Sequence, residues 1–354
     1  MSRANILPNR SYKLMKNTNY ILRARLQLLG ILSVIAVFII ILTLKFGCHK
    51  ATSNLSEKKK EKKVSVISNP YPEPKFLQDS ELIPFVQQLD WSKAKYNNFA
   101  LPKITEYPKA GILIDLNTNE VLWAKNVQKQ LPIASMSKIM TILLALEEIK
   151  YGTKGITFAS TVKASRQCAA VRVGAMGLVP NQNYKLEELM QAAAIRSAND
   201  TAAQIAEFIG GNSMENFIAL MNKKAAQLQM KNTFFINPHG LPVGKNDNLS
   251  SVLDVAIMAN EILRYPEYMK WAKTYQLFAV NNTKEITNTN NLVRKRKTPG
   301  VDGLKTGYTV RAGYCLAFSC MRNGRRMLGV VVGFKQARNR DNFAEAILDW
   351  GYKQ

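Results

Sequence analysis

Ser135 and Lys138, three positions apart, are followed along the chain by Ser197-Ala198-Asn199 and then by Lys305-Thr306-Gly307-Tyr308. In that order they supply a hydroxyl, an amine, a polar relay with a side-chain amide, and a cation next to a second hydroxyl. A serine hydroxyl is a weak nucleophile until a base takes its proton. A buried lysine, especially one beside another cation, has its pKa lowered and can be that base. Lys305 and Thr306 offer charge and a hydrogen bond to a carboxylate, and Gly307 lets a ligand approach the main chain closely. The ordered set reads as equipment for attacking a carbonyl group that lies next to a free carboxylate.

Taken singly, each motif has a plainer meaning. The Ser-x-x-Lys spacing also occurs at Ser56/Lys59, Ser92/Lys95 and Ser160/Lys163. Ser135 differs in its setting, because Pro132 and Ala134 lead into a long apolar stretch and place it in the first turn of an expected helix. Residues i and i+3 share a helix face, so Lys138 can reach the Ser135 hydroxyl; a helix cap with a snorkelling lysine is the alternative. Ser197-Ala198-Asn199-Asp200 also reads as a turn or N-cap, and Lys305 as a solvated lysine on an edge strand. With only His49, in a polar tether, and His239 in the chain, the count argues against a multi-histidine zinc site, and a Ser-His-Asp arrangement would rest on His239 alone. No metal and no cofactor are expected.

The elements that must position these residues follow from pattern. Ala110 to Leu116 and Glu120 to Ala124 flank Asn117-Thr118-Asn119, a hairpin signature, and Tyr314 to Met321 and Arg326 to Phe334 flank Asn323-Gly324, a stronger one. Ala134 to Lys150 is apolar around most of a helix circumference and is expected to be buried. Helices follow over Leu186–Ile195, Thr201–Ile209, Met214–Leu228 and Ser251–Leu263, and a last one from about Arg338 to Trp350. Strands from both ends of the domain therefore enclose a helical insert at about 142–290. The fold class is α/β in the broad sense (α+β): an antiparallel sheet flanked by helices, with a helical subdomain beside it. Cys315 and Cys320, an odd number of residues apart in one strand, should face opposite sides and form no disulfide.

Ahead of this domain, Leu26 to Leu44 is almost wholly apolar and, as a helix, spans roughly 28 Å, close to the thickness of a bilayer core. Arg3, Arg10, Lys13, Lys16, Arg23 and Arg25 precede it with no acidic residue, so residues 1–25 are expected in the cytoplasm. The reading is a single-pass signal anchor at 26–44, a charged, Pro-containing linker at 45–80, and an extracytoplasmic (periplasmic) catalytic domain at 81–354. A cleaved signal peptide, or lipidation at Cys48, are the alternatives. The formal charge is +24, and residues beyond Lys75 still carry +13 of it after 14 Lys and Arg against 3 Asp and Glu up to that point. For an exported protein such a balance suits anionic head groups or acidic wall polymers, not nucleic acid; a solvated surface with no partner is the alternative.

With these residues in view, the chain resembles the serine-type D-Ala-D-Ala carboxypeptidases, which are low-molecular-mass penicillin-binding proteins, over roughly residues 100 to 350. Phe235-Ile-Asn-Pro-His239-Gly-Leu241, Asn288-Thr-Asn-Asn-Leu292 and Val301-Asp-Gly-Leu-Lys-Thr-Gly match the family pattern as well. The resemblance implies the fold shared by penicillin-binding proteins and serine β-lactamases. It makes Ser135 the acylated nucleophile, Lys138 its general base and Ser197 a proton relay. Asn199 would hold the stem peptide, Lys305 and Thr306 the terminal carboxylate, and the backbone N–H groups of Ser135 and Tyr308 the oxyanion. Peptidoglycan stem peptides would be the substrate and β-lactams covalent inhibitors. Two departures stand out: Tyr308 occupies a place where members often have histidine, and with 47 residues after Gly307 the second strand-rich domain and C-terminal anchor of many members are not expected here.

Hydrolysis of the terminal D-Ala–D-Ala bond is the leading expectation. A D,D-endopeptidase cleaving crosslinks would use the same residues. A class A β-lactamase would need a carboxylate for deacylation, yet no Asp or Glu lies between Asn216 and Asn246. A non-catalytic wall-binding module would keep the groove and tolerate loss of Ser135.

Overall fold

The computed structural model describes residues 84–279 and 284–354. The anchor at 26–44, the linker at 45–80 and Cys48 lie outside the described residues. Among the described residues no helix is long and apolar enough to cross a membrane.

Six strands form the main sheet: β1 (Lys95–Tyr96), β2 (Ala110–Asp115), β3 (Glu120–Lys125), β4 (Val301–Thr309), β5 (Gly313–Arg322) and β6 (Arg325–Phe334). Their spatial order is β1-β3-β2-β6-β5-β4. Every pair is antiparallel except β1 with β3, which is parallel. Both hairpins expected from sequence are present. The β5–β6 turn places Asn323 and Gly324 at φ 51° and 76°, the two positive values that a type I′ turn requires. All six residues of β2 are buried, because it lies inside the sheet with both faces covered.

Two cores sandwich this sheet. On one face, helix α7 (Ala337–Gly351) lays Phe343, Ala344, Ile347 and Leu348 against Leu316, Phe318 and Val331. On the other lie α1 (Lys138–Tyr151), α2 (Leu186–Gln191), α3 (Asn199–Ile209), α4 (Met214–Gln227), α5 (Val252–Ile262) and α6 (Pro266–Ala272). Helix α1 buries Ile139, Met140, Ile142, Leu143, Ala145 and Leu146 around its whole circumference, which is why its sequence lacks a polar face until Glu147. Ser213 and Ser251 cap α4 and α5 by accepting from the N–H groups three residues on, and Pro266 occupies the first turn of α6. Cys315 and Cys320 belong to opposite cores.

The boundaries differ from the sequence expectation at two places that matter. Ala134–Ser137 is a 3-10 turn, and the α-helix begins only at Lys138. Ser135 is therefore in a tighter coil where positions i and i+3 eclipse. The segment expected as one helix to Ile195 is α-helical to Gln191 and then a π-turn over Ala192–Arg196, a wider coil of the kind found at functional sites. The central insert also carries small two-stranded ribbons, among them Thr161–Lys163 with Asn183–Lys185 and Gln276–Ala279 with Lys284–Thr287. They are too short for a period-two pattern to announce them.

Candidate active site

The site forms where strand β4, the free edge of the sheet, meets the start of α1. Lys138 is fully buried, and its Nζ stands 2.9 Å from Ser135 Oγ, 2.6 Å from Asn199 Oδ1 and 2.7 Å from the His239 carbonyl oxygen. The orientation of the Asn199 amide is fixed, since its Nδ2 donates to Val173 O at 2.7 Å. Two of the three contacts of Lys138 are thus obligate acceptors. A neutral amine spends both its N–H bonds on them and turns its lone pair to the Ser135 hydroxyl. Burial, then the nearby Lys305 cation, hold the Lys138 pKa well below the ordinary lysine value, with Asp200 acting in the opposite sense. The amine is set to accept a proton from Ser135.

Lys305 is 1% exposed. Burial, with Arg340 adding to it, lowers its pKa to about 7. Its Nζ donates to Thr306 O at 3.1 Å, and the Thr306 hydroxyl is 2.7 Å from that of Thr289. Gly307 is where β4 touches the nucleophile turn: an added Cβ there would lie 2.9 Å from Ile133 O and 3.3 Å from Ser135 N. The main chain of β4 and the Ser135 amide therefore adjoin, with no room for a side chain between them. Tyr308 is 52% exposed and stacks on Tyr314 with ring centroids 4.3 Å apart. Ser197 sits at φ 64° in the left-handed region, between the π-turn and α3, and no hydrogen bond of its hydroxyl is found among the described residues.

Behind Ser135 a hydrogen-bonded loop supports the turn. Asn248 donates from Nδ2 to Ser137 Oγ and to Asn237 O, each at 2.8 Å, and its Oδ1 accepts from Ile236 N. Asn237 Oδ1 accepts from His239 N and Gly240 N, and Thr141 donates to Pro238 O. Gly240 has φ +85°, and a Cβ on it would lie 1.9 Å from Ala134 O. His239 contributes its carbonyl to Lys138. Its ring Nδ1 instead accepts from Leu241 N at 3.1 Å, and burial plus the Lys138 charge lower the imidazole pKa to about 3. No hydrogen bond between that ring and a serine is found among the described residues.

The opposite wall depends on Asp200. Its buried carboxylate accepts from the backbone N–H groups of Met176, Gly177 and Leu178 at 2.8, 2.8 and 3.0 Å. Asn199 N donates to Gly174 O, so α3 grips the whole segment from residue 173 to 178. Asp200, Asn237, Asn248 and Thr289 were not singled out from sequence as site residues. The available signal was the pattern Phe235–Leu241 and Asn288–Leu292, which gives positions without partners. Among the described residues no group of three or more His, Cys, Asp or Glu side chains is disposed to hold a metal ion.

This geometry sets a buried lysine amine within hydrogen-bond reach of a serine hydroxyl, carried on a sheet with helices on both faces. The model of the D-alanyl-D-alanine carboxypeptidase family matches residues 100–336, and the chain belongs to that family. It is similar to the D-alanyl-D-alanine carboxypeptidase DacF of Bacillus subtilis, 37% identical over 264 residues, covering 74% of this chain and 66% of that protein. It is likewise similar to DacC of Escherichia coli, 31% identical, covering 72% of this chain and 64% of that one. The chain thus spans just under two thirds of the length of these curated relatives. Penicillin-Binding Protein D2 of Listeria monocytogenes, solved in the ampicillin-bound form, superposes with a TM-score of 0.63 at 26% identity, over 71% of this chain and all of that one.

Proposed function

We propose that this protein is a serine D-Ala-D-Ala carboxypeptidase that trims peptidoglycan stem pentapeptides through an acyl-enzyme on Ser135. The observation that carries the reading is Lys138 Nζ, buried, committed to two acceptors and 2.9 Å from Ser135 Oγ. Ser135 Oγ bonds to the carbonyl carbon of the penultimate D-Ala while its proton passes to Lys138. The N–H groups of Ser135 and Tyr308 stabilise the oxyanion. As the C–N bond breaks, the departing amine takes a proton through Ser197. Asn199, with one amide proton still uncommitted, and the β4 edge hold the peptide; Lys305 and Thr306 hold its terminal carboxylate. Water then hydrolyses the ester and frees the enzyme.

β-Lactams, which present a carboxylate beside a strained amide, enter the same site and acylate Ser135. The ampicillin complex of the Listeria protein supports this. The residues of 216–246 that pack behind Ser135 include no carboxylate, so the penicilloyl ester is long-lived. Residues 26–44 anchor the chain in the cytoplasmic membrane with the catalytic domain outside, a reading supported by the length and flanking charge of that segment.

Labelling with fluorescent penicillin, wild type against Ser135→Ala, tests the assignment: the wild type is labelled and the variant is not. Equal labelling of both would overturn it. Release of D-alanine from pentapeptide but not cleavage of a crosslinked dimer separates the carboxypeptidase from an endopeptidase. Fast turnover of a chromogenic cephalosporin would mark a β-lactamase instead.

A further inference from the structure

Thr289 joins the segment ahead of Ser197 to strand β4. Its backbone N–H donates to Ile195 O at 3.0 Å, two residues before Ser197, and its hydroxyl meets the Thr306 hydroxyl on β4 at 2.7 Å. The residues on either side are fixed as firmly. Asn288 is buried and donates from Nδ2 to Ala272 O and Thr274 O, while its Oδ1 accepts from Asn290 N. Asn290, also buried, donates to Gly303 O on β4. The Thr289 hydroxyl is therefore delivered to Thr306 by a backbone held on both flanks.

The direction of that hydrogen bond follows from the chemistry of the ligand. An ionised carboxylate only accepts, so Thr306 must spend its single proton on it. The Thr306 oxygen can then only accept from Thr289, and Thr289 must be the donor. We propose that Thr289 is a positioning residue for carboxylate recognition: it fixes the Thr306 hydroxyl in the rotamer, and with the proton direction, that the substrate's terminal carboxylate requires. This rests on the carboxypeptidase reading given above and assigns Thr289 a part in it. Thr289 itself does not touch substrate. It acts on affinity for the carboxylate, leaving the proton transfer between Ser135 and Lys138 alone.

The test is steady-state kinetics of the full chain on a peptide ending in D-Ala–D-Ala, with Thr289→Val, Thr289→Ser, Thr306→Val and the Thr289→Val/Thr306→Val double variant. Loss of one oriented hydrogen bond raises KM about 3- to 10-fold in Thr289→Val, with kcat within about 2-fold. Thr289→Ser, which keeps the donor, returns KM to near the wild-type value. The double variant is no worse than Thr306→Val alone, because a residue acting through Thr306 has nothing left to act on. Thr289→Ala serves in place of Thr289→Val should the latter misfold by thermal melting. An unchanged KM, failure of serine to rescue, or losses that multiply in the double variant would each overturn the proposal. Fluorescent-penicillin labelling of the wild type is run alongside. A labelled wild type with an unaffected Thr289→Val sinks the role of Thr289 only; an unlabelled wild type sinks the enzymatic reading and this role with it.

Discussion

Gly240→Ala tests the idea that the nucleophile is placed by the main chain packed beneath it. The substitution removes no charge and no side-chain hydrogen bond. It adds one methyl group whose carbon would lie 1.9 Å from Ala134 O, 2.3 Å from Ala134 C and 2.9 Å from Ser135 N. Restoring a non-bonded distance to Ala134 O pushes the turn and the loop apart by at least about 1 Å. A misplacement of about 1 Å costs on the order of 100-fold in rate, or about 2.7 kcal/mol. The left-handed φ of this residue adds about 1–2 kcal/mol of strain for alanine, which lowers the unfolding midpoint. The assay is the second-order rate of acylation by fluorescent penicillin, measured well below that midpoint. Gly307→Ala is the graded comparison: its Cβ would stand 2.9 Å from Ile133 O and 3.3 Å from Ser135 N, so a shift of a few tenths of an ångström suffices and the loss stays under about 10-fold. A folded Gly240→Ala that acylates within about 3-fold of the wild type, or a larger loss in Gly307→Ala, would refute the reasoning.

Other expectations are read from the same contacts. Lys138→Met lowers the acylation rate by about 10²- to 10⁴-fold, the usual worth of a general base; a smaller loss in a stopped-flow measurement would point to another base. Lys305 has its pKa lowered to about 7 in the folded protein, so the unfolded chain binds the extra proton between that pH and the ordinary lysine range. Stability must therefore rise with pH across this window. Lys305→Met should abolish that part of the slope in denaturant titrations and also weaken carboxylate binding; an unchanged slope would count against a depressed pKa. Asp200→Ala leaves the amides of Met176, Gly177 and Leu178 without their acceptor, at about 1–3 kcal/mol each. Chemical denaturation should show several kcal/mol lost, and less than about 1 would mean that water replaces the carboxylate.

The sheet was legible because its strands are long and bounded by turns of known chemistry: Asn323-Gly324 announces β5 and β6, and Met327–Phe334 is the continuous apolar run of a strand buried on both faces. Helix α1 was legible from its unbroken apolar run. Its first turn was not, since Ala134–Ser137 is held in the 3-10 form by contacts with residues about a hundred positions away, such as the bond from Asn248 to Ser137. A shorter separation, 22 to 24 positions, hides Asp200, which sits next to Asn199 in sequence and looks like an ordinary cap residue until the 176–178 amides come round to meet it. Ser135, Lys138 and Asn199, expected together from residue type and order, do meet at Lys138 Nζ. Thr289 could not be expected in this way, because a threonine that positions another threonine has no distinguishing composition or spacing.

Lys138 finds its two acceptors 61 and 101 positions further along the chain. Before those segments arrive, its ammonium is solvated and protonated, and Ser135 has nothing to receive its proton. On the proposed acylation of Ser135, a nascent or denatured chain is consequently inert toward penicillin although every reactive atom is present. Covalent labelling thus counts finished molecules: during refolding, the appearance of label should keep pace with tertiary structure and lag behind the recovery of helix.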